Sequence, residues 1–273
     1  QESFNDSGTT TLSRSTTAGA PLRIKAGIVG GAGYTAGELV RILLRHEFVE
    51  LGGIVSSSNA GNPVAQVHDD LVGETELRFA AELQGDEDVV FLCLGHGNSK
   101  AWLSQHELPE TTAVIDLSND FRLAADAEFG GREFVYGLPE LNRSRIQQAQ
   151  SIANPGCFAT AIQLALLPLA AAGRLRDDVH VSAITGSTGA GQSLSETVHF
   201  SWRASNVSIY KPFTHQHLGE IRESLLQLQP GADVPIHFIT YRGNFTRGIF
   251  ASVYTPSDLT QAEARELYQQ FYA

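Results

Sequence analysis

The chain contains few residues of several types, and each of these scarcities excludes some classes of protein. Its 273 residues include no methionine, three lysines and two cysteines, Cys93 and Cys157. Two cysteines cannot form a disulfide scaffold, so we expect a reducing, cytoplasmic location. No uninterrupted apolar run is long enough to cross a bilayer, which argues against a membrane partner. The net charge of −11 argues against a basic surface for nucleic acid.

The residues that are present have the composition of a globular protein, 42% hydrophobic and 18% charged. Residues 1–22 are rich in serine, threonine and glycine without periodicity, and we predict a flexible tail there. From residue 23 the pattern is strand, glycine turn and helix, and the helix is expected at 38–45. Apolar runs of strand length follow at 49–55 and 88–94. This alternation predicts an α/β fold with a Rossmann-type doubly wound parallel sheet.

The character of the chain changes around Cys157. A long apolar helix follows this residue, and strands and helices then come in mixed order. The change predicts a second domain of the α+β type. We place the dinucleotide-binding domain at 23–155 and the second domain at 156–273.

A glycine-rich turn follows the first strand. Its sequence fits the pattern G-x-G-x-x-A between a strand and a helix. Such glycines let the backbone turn tightly and approach a pyrophosphate, which then lies on the helix N-terminus. The alternative is a turn that only packs against its neighbours. We assign dinucleotide binding to Gly31, Ala32, Gly33, Tyr34 and Thr35.

The end of the second strand indicates which dinucleotide binds. An NAD site usually has an acidic residue there, which holds the ribose 2′-OH. This chain has Ser56, Ser57 and Ser58 instead, so no carboxylate would repel a 2′-phosphate. The residues therefore favour NADP, and the alternative is a polar loop that contacts nothing.

Two further loops are assigned to the cofactor. Ligands in such folds bind at the carboxyl ends of the strands, and His96 and Gly97 follow the third strand. His96 can equally be an exposed loop residue, and we give it no catalytic role. Ser187 and Gly189 lie in a second glycine-rich stretch, whose N–H groups can face a phosphate or a developing oxyanion.

Cys157 is the candidate nucleophile. It follows a Pro-Gly turn and begins an apolar run, which places it at the start of a helix. Unpaired N–H groups and the helix dipole favour a thiolate at such a position. The alternative is a small buried apolar residue, as most free cysteines are.

A nucleophilic cysteine needs a base or a charged partner, and His217 is our preferred acid/base. The alternative is a histidine at a helix start that bonds only to the backbone. His215 and His217 form a His-x-His pair, but no third ligand is spaced nearby, so we expect no metal. Arg122 and Arg247 are available to hold anionic groups of a substrate.

A thiol nucleophile combined with a nicotinamide cofactor indicates chemistry at the aldehyde level. The thiolate attacks an activated acyl group, the leaving group departs, and hydride reduces the resulting thioester to an aldehyde. The motifs that carry this chemistry resemble those of the N-acetyl-γ-glutamyl-phosphate reductase family over about residues 23–273. The matching motifs lie at 30–37, 114–122, 136–143, 153–160, 185–191, 215–217 and 247–249.

The resemblance implies reductive dephosphorylation of N-acetylglutamyl 5-phosphate to the semialdehyde, an NADPH-dependent step of arginine biosynthesis. It implies Cys157 as nucleophile, His217 as acid/base, and His215 near the substrate, and we add Asn154 of the cysteine motif to the substrate-binding set. It also implies a catalytic and dimerisation domain after the Rossmann domain, an acyl phosphate as the small-molecule substrate, and a homo-oligomer, a dimer or a tetramer.

Two departures from the family pattern stand out. Members extend past residue 273 through a segment that returns to the Rossmann domain, and we expect this segment to be missing. The family often has arginine between the two histidines, where this chain has Gln216, and a different acyl preference could follow. Two alternatives therefore stay open: a reductase of an aspartyl or aminoadipyl phosphate, and a nucleotide-binding regulatory protein without activity.

Overall fold

A computed structural model describes residues 23–273, so the predicted tail at 1–22 lies outside the described residues. The described chain contains a seven-stranded sheet and a four-stranded sheet, each covered by helices. This arrangement confirms the predicted α/β fold class. Within residues 23–273, no helix has the length and apolar character that spanning a membrane requires.

The elements follow one another in chain order. The strands are β1 (Ile24–Val29), β2 (Val49–Val55), β3 (Val89–Leu92), β4 (Ala113–Asp116), β5 (Glu128–Phe129), β6 (Arg132–Tyr136), β7 (Ser151–Ala153), β8 (Val179–Thr185), β9 (Ser208–Tyr210), β10 (Ile236–Arg242) and β11 (Ile249–Tyr254). The helices are α1 (Tyr34–Leu43), α2 (Asn98–Leu103), α3 (Pro139–Gln148), α4 (Cys157–Ala171), α5 (Phe200–Arg203), α6 (His217–Leu228) and α7 (Gln261–Phe271).

The first sheet has the strand order β2-β1-β3-β4-β7-β6-β5, and only the β5–β6 pair is antiparallel. Its central strands are buried on both faces, as Ile28, Val90 and Val114 show. The order reverses between β1 and β3, and a crevice for ligands opens at the carboxyl ends of strands at such a point. The glycine turn and the loop with His96 leave β1 and β3 at this crevice.

The second sheet has the order β11-β8-β10-β9, with β8 and β10 parallel and both outer pairs antiparallel. Helices α4 and α6 pack together and enclose one core with the sheet. Phe158, Ile162 and Phe238 are among its fully buried side chains. This core fixes the starts of α4 and α6, where Cys157 and His217 lie.

Several elements differ from the sequence-based expectation. Helix α1 begins at Tyr34 rather than at residue 38, because the last residues of the glycine motif form its first turn. The short strands β5, β6, β7 and β9 were not predicted. Between two and five residues are too few to show a period, and β6 begins with two charged residues, Arg132 and Glu133.

Candidate active site

Two cavities lie side by side at the crevice. One, of about 690 Å³, borders the glycine turn, and we call it the glycine-turn cavity. The other, of about 680 Å³, contains Cys157, and we call it the cysteine cavity. They are joined, because five residues line both. These are Gly33, Cys93, Leu94, Gly95 and Gln192.

Cys157 is the first residue of α4, and its side chain is exposed within the cysteine cavity. No side chain caps this helix. Burial of the site raises the pKa of the thiol above its ordinary value, while the N–H groups of Phe158 and of Cys157 itself act in the opposite direction. The helix start thus favours the thiolate, as the sequence indicates, but desolvation is the larger effect on this thiol.

His217 begins α6 and is only 5% exposed. Burial, followed by the charge of Arg122, lowers its pKa to about 3, and burial with the neighbouring imidazole lowers the pKa of His215 to about 4. Both imidazoles are therefore neutral near pH 7. The Nδ1 atom of His217 is buried without a hydrogen-bond partner.

Gly156, directly before Cys157, leaves space for the His217 imidazole. A Cβ atom on this glycine would lie 2.4 Å from His217 Nε2, closer than any side chain can approach. Its φ of −68° suits any residue, so glycine is needed here for space and not for backbone freedom. The imidazole therefore packs directly on the turn that presents Cys157.

Glu220, which no sequence pattern marked, holds this turn in place. Its buried carboxylate accepts hydrogen bonds from the Gly156 N–H at 2.8 Å and from the Tyr136 hydroxyl at 3.0 Å. It also accepts one from Arg122 Nη1 at 3.2 Å and lies 3.8 Å from His217 Nε2. One carboxylate thus fixes the cysteine turn and faces the imidazole.

The predicted substrate-binding residues differ in where they lie. Arg122, Asn154 and His215 line the cysteine cavity. Arg122 nevertheless donates to the carbonyl oxygens of Asn154 and Leu117 as well as to Glu220, so its donors are largely committed within the protein. Arg247 lies outside both cavities and forms a 3.0 Å ion pair with Glu38.

Two other cations line the cysteine cavity and were missed. The Arg242 guanidinium lies 4.5 Å from the ring centroid of Tyr210, and its Nε atom is buried without a hydrogen-bond partner. Lys211 has a left-handed φ of +42°, an unusual conformation for lysine that often marks a functional segment. The only sequence signal was that Lys211 precedes the His-x-His pair closely. The two cations can hold anionic groups beside Cys157.

The glycine-turn cavity offers donors for a phosphate. Gly33 precedes α1 with no capping side chain, and the first turn of α1 contains no acidic residue. Its N–H groups and positive dipole therefore favour an anion. The strand β2 ends beside the same cavity, which Ala32, Gly33, Ser56 and Ser57 line.

The other residues predicted to bind the cofactor do not line the glycine-turn cavity. Tyr34, Thr35, His96 and Gly189 line the cysteine cavity, whereas Gly31, Ser58, Gly97 and Ser187 line neither. The Gly97 N–H donates to Asp120 Oδ1 at 2.6 Å, and the Ser187 hydroxyl donates to the Phe245 carbonyl at 3.2 Å. The carbonyl of Gly31 is 2.8 Å from Nε2 of the buried His68, which was not predicted.

Comparison with known proteins agrees with this geometry. Residues 25–149 match the semialdehyde dehydrogenase NAD binding domain, and residues 157–273 match the semialdehyde dehydrogenase dimerisation domain. The N-acetyl-gamma-glutamyl-phosphate reductase of Flavobacterium johnsoniae is 56% identical over 249 residues, which cover 91% of this chain and 77% of the relative. The chain belongs to the N-acetyl-gamma-glutamyl-phosphate reductase family. The resemblance predicted from the motifs is thereby confirmed.

Other family members and solved structures extend the comparison. The reductase of Bacteroides thetaiotaomicron is 53% identical, with 92% of this chain and 77% of the relative covered. Aspartate semialdehyde dehydrogenase II of Vibrio cholerae has a TM-score of 0.64 at 16% identity, covering 91% of this chain and 79% of its own. The Candida albicans enzyme, solved with NADP, has a TM-score of 0.64 at 14% identity, covering 91% and 75%. At sequence identities this low, the two solved structures show only that they share their fold with this chain.

Proposed function

We propose that the chain reduces N-acetyl-L-glutamyl 5-phosphate to N-acetyl-L-glutamate 5-semialdehyde with NADPH, a step of arginine biosynthesis. The observation that carries the proposal is the joined pair of cavities. One presents Cys157 beside a neutral His217, and the other presents an uncapped helix start behind a glycine turn. The membership of the reductase family supports the same reaction.

NADP fits the residues of the glycine-turn cavity. The start of α1 would hold the pyrophosphate through its free N–H groups, and Ser56 and Ser57 would contact the adenosine ribose and its 2′-phosphate. The donor set suits the phosphorylated cofactor, because β2 is followed by serine hydroxyls and not by a carboxylate. When bound, the nicotinamide supplies the hydride.

The chain's own residues account for the acyl transfer. Cys157 Sγ forms a bond to the acyl carbon, the bond from that carbon to the phosphate oxygen breaks, and inorganic phosphate leaves. The thiol proton passes to His217, and the low pKa of about 3 that burial and nearby positive charges give this imidazole must rise when substrate binds. The negative charge of a bound acyl phosphate offsets Arg122 and Lys211, two of the charges that lower the pKa of this imidazole. The imidazole passes this proton to the departing phosphate. After reduction of the thioester, the carbon–sulfur bond breaks, the aldehyde leaves, and Cys157 is restored as the thiolate.

Two cations of the cysteine cavity, Arg242 and Lys211, indicate where the anionic groups of the substrate bind. We infer that Arg242 and Lys211 contact its anionic groups, because both cations line the cysteine cavity. Arg122 contributes charge at short range while its hydrogen bonds hold the cavity wall. We further propose a homo-oligomer, supported by the matched dimerisation domain, and a cytoplasmic location, supported by two free cysteines.

Replacing Cys157 by serine tests the proposal. We expect NADPH-dependent turnover to fall by at least about 10³-fold, because a neutral hydroxyl is a far weaker nucleophile than a thiolate. NADPH binding, measured by fluorescence titration, should stay nearly unchanged. In the parent protein without NADPH, mass spectrometry should find the N-acetylglutamyl group on the peptide that contains Cys157.

The substrate is tested separately with a panel of acyl phosphates. The N-acetylglutamyl compound should be preferred over aspartyl and aminoadipyl phosphates in the same assay. Normal turnover by the Cys157→Ser variant would refute the assignment of Cys157 as the nucleophile. Turnover of only another acyl phosphate would support that assignment and refute the proposed substrate.

A further inference from the structure

A row of three aromatic side chains crosses the second sheet at the end remote from the cysteine cavity. His180 of β8 lies in register between His237 of β10 and Tyr254 of β11. The rings stack, with centroids 4.9 Å apart between the two histidines and 5.1 Å apart between His180 and Tyr254. Side chains alternate along β8, where Val179 and Val181 face the core, so His180 stands on the opposite, outer face.

A carboxylate completes the group. Asp178 directly precedes β8, and its Oδ2 lies 2.8 Å from His237 Nε2. One ligand atom from each of Asp178, His180 and His237 lies within 4.8 Å of the others, and the described residues 23–273 contain no second group of this kind. The side chains of His237 and Asp178 are 42% and 53% exposed, so an ion and its water can reach them.

We propose that Asp178, His180 and His237 form a binding site for one zinc ion. Imidazole nitrogen and carboxylate oxygen are ligands that zinc prefers, and three protein ligands leave the fourth position to water. Ring stacking and strand register hold the two imidazoles side by side, and the Asp178 carboxylate turns His237 toward the group. Zinc takes the place of the hydrogen bond between His237 Nε2 and Asp178 Oδ2, and a neutral His237 then carries its single N–H on Nδ1. This site departs from the sequence-based expectation of no metal.

The site is separate from the proposed reaction. Thr185, at the other end of β8, lines the cysteine cavity, and five residues of extended strand from His180 span about 16 Å. An ion there acts on the sheet, because it ties the segment before β8 to the start of β10. We therefore expect zinc to raise the unfolding temperature by at least about 3 °C at concentrations well above its dissociation constant.

The experiment measures zinc binding to the full chain by calorimetric titration with zinc chloride. It uses the Cys157→Ser background, because the exposed thiol of Cys157 is by itself a soft ligand that zinc can bind. One equivalent should bind in this background. Binding should be lost in the added His180→Ala and His237→Ala variants and weakened in Asp178→Asn. The matched control is His46→Ala, an exposed histidine elsewhere on the surface, which should bind zinc like the parent.

A second set of measurements distinguishes a variant that has lost the zinc site from one that has unfolded. Each variant should show the parent's circular dichroism without zinc. When zinc is added, the parent and His46→Ala should gain unfolding temperature, Asp178→Asn should gain less, and His180→Ala and His237→Ala should gain none. Cobalt, used as a visible probe, should give the absorption of a four-coordinate site in the parent and not in His180→Ala. Unchanged zinc binding in His180→Ala combined with His237→Ala, or no binding by the parent at micromolar zinc, would overturn the proposal.

Discussion

At the scale of single residues, the tightest constraint in the site is the contact between Gly156 and His217. The imidazole occupies the space that any side chain at residue 156 would need. The same glycine donates its N–H to Glu220, which in turn faces the imidazole. The position of the His217 imidazole relative to the cysteine turn therefore depends on a residue that has no side chain.

Gly156→Ala should displace the His217 imidazole and lower kcat by about 10²-fold, since a shift of about 1 Å in a reacting group has an effect of that order. The KM for NADPH should stay nearly constant, because the glycine-turn cavity is not touched. Steady-state kinetics with varied NADPH measures both values. The control is Gly219→Ala, which lies in α6 two residues beyond His217 and meets only the flexible Leu123 side chain. Wild-type kcat in Gly156→Ala would show that the imidazole is not needed where the structure places it.

The sequence predicted the chemical groups of the site better than their surroundings. Cys157 and His217 follow from a motif, and both line the cysteine cavity. In contrast, the presence of an arginine in the sequence does not show which hydrogen bonds its guanidinium makes. Arg122 donates to protein oxygens, whereas Arg242 has a buried donor without a partner. Glu220 is far from Gly156 in sequence and meets it only in the folded chain. Such contacts depend on tertiary packing, which local patterns do not encode.

At the scale of elements, the connection between β1 and α1 depends on a histidine beyond β2. His68 Nε2 lies 2.8 Å from the Gly31 carbonyl, and its ring tilts against Phe79. On its other side the ring fills the space above Gly37 of α1, where a Cβ would lie 2.6 Å from Nδ1. His68 is therefore a positioning residue for the glycine turn. It escaped prediction because neither periodicity nor a motif marks a support that lies outside the turn.

His68→Ala should raise the KM for NADPH by about tenfold, the equivalent of one buried hydrogen bond of about 1.4 kcal/mol. The kcat at saturating NADPH should change little, because Cys157 and His217 lie on other elements. His68→Gln retains an N–H donor on a side chain of similar reach and should restore part of the affinity. A fall in kcat with unchanged KM, or no difference between the alanine and glutamine variants, would contradict a role in holding the turn.

At the scale of the whole molecule, the two sheets are joined by contacts of different character. Exposed links include the ion pair of Arg247 with Glu38 and the hydrogen bond from Gln192 to the Ala32 carbonyl. A buried link is the Arg122–Glu220 ion pair, whose side chains are 5% and 3% exposed. Exposed pairs contribute little because water screens them, whereas a buried charge that loses its partner is strongly unfavourable.

Glu220→Ala should therefore lower the free energy of unfolding by about 3–5 kcal/mol, since it leaves the Arg122 charge buried and removes the acceptor of the Gly156 N–H and the Tyr136 hydroxyl. The matched control is Asp258→Ala, which removes an exposed ion pair with Arg174 and should cost less than about 1 kcal/mol. Urea unfolding followed by circular dichroism measures both. An equal loss of unfolding free energy in the two variants would mean that water reaches Arg122 once Glu220 is gone. The packing of the two sheets, rather than this ion pair, would then hold the cysteine cavity in shape.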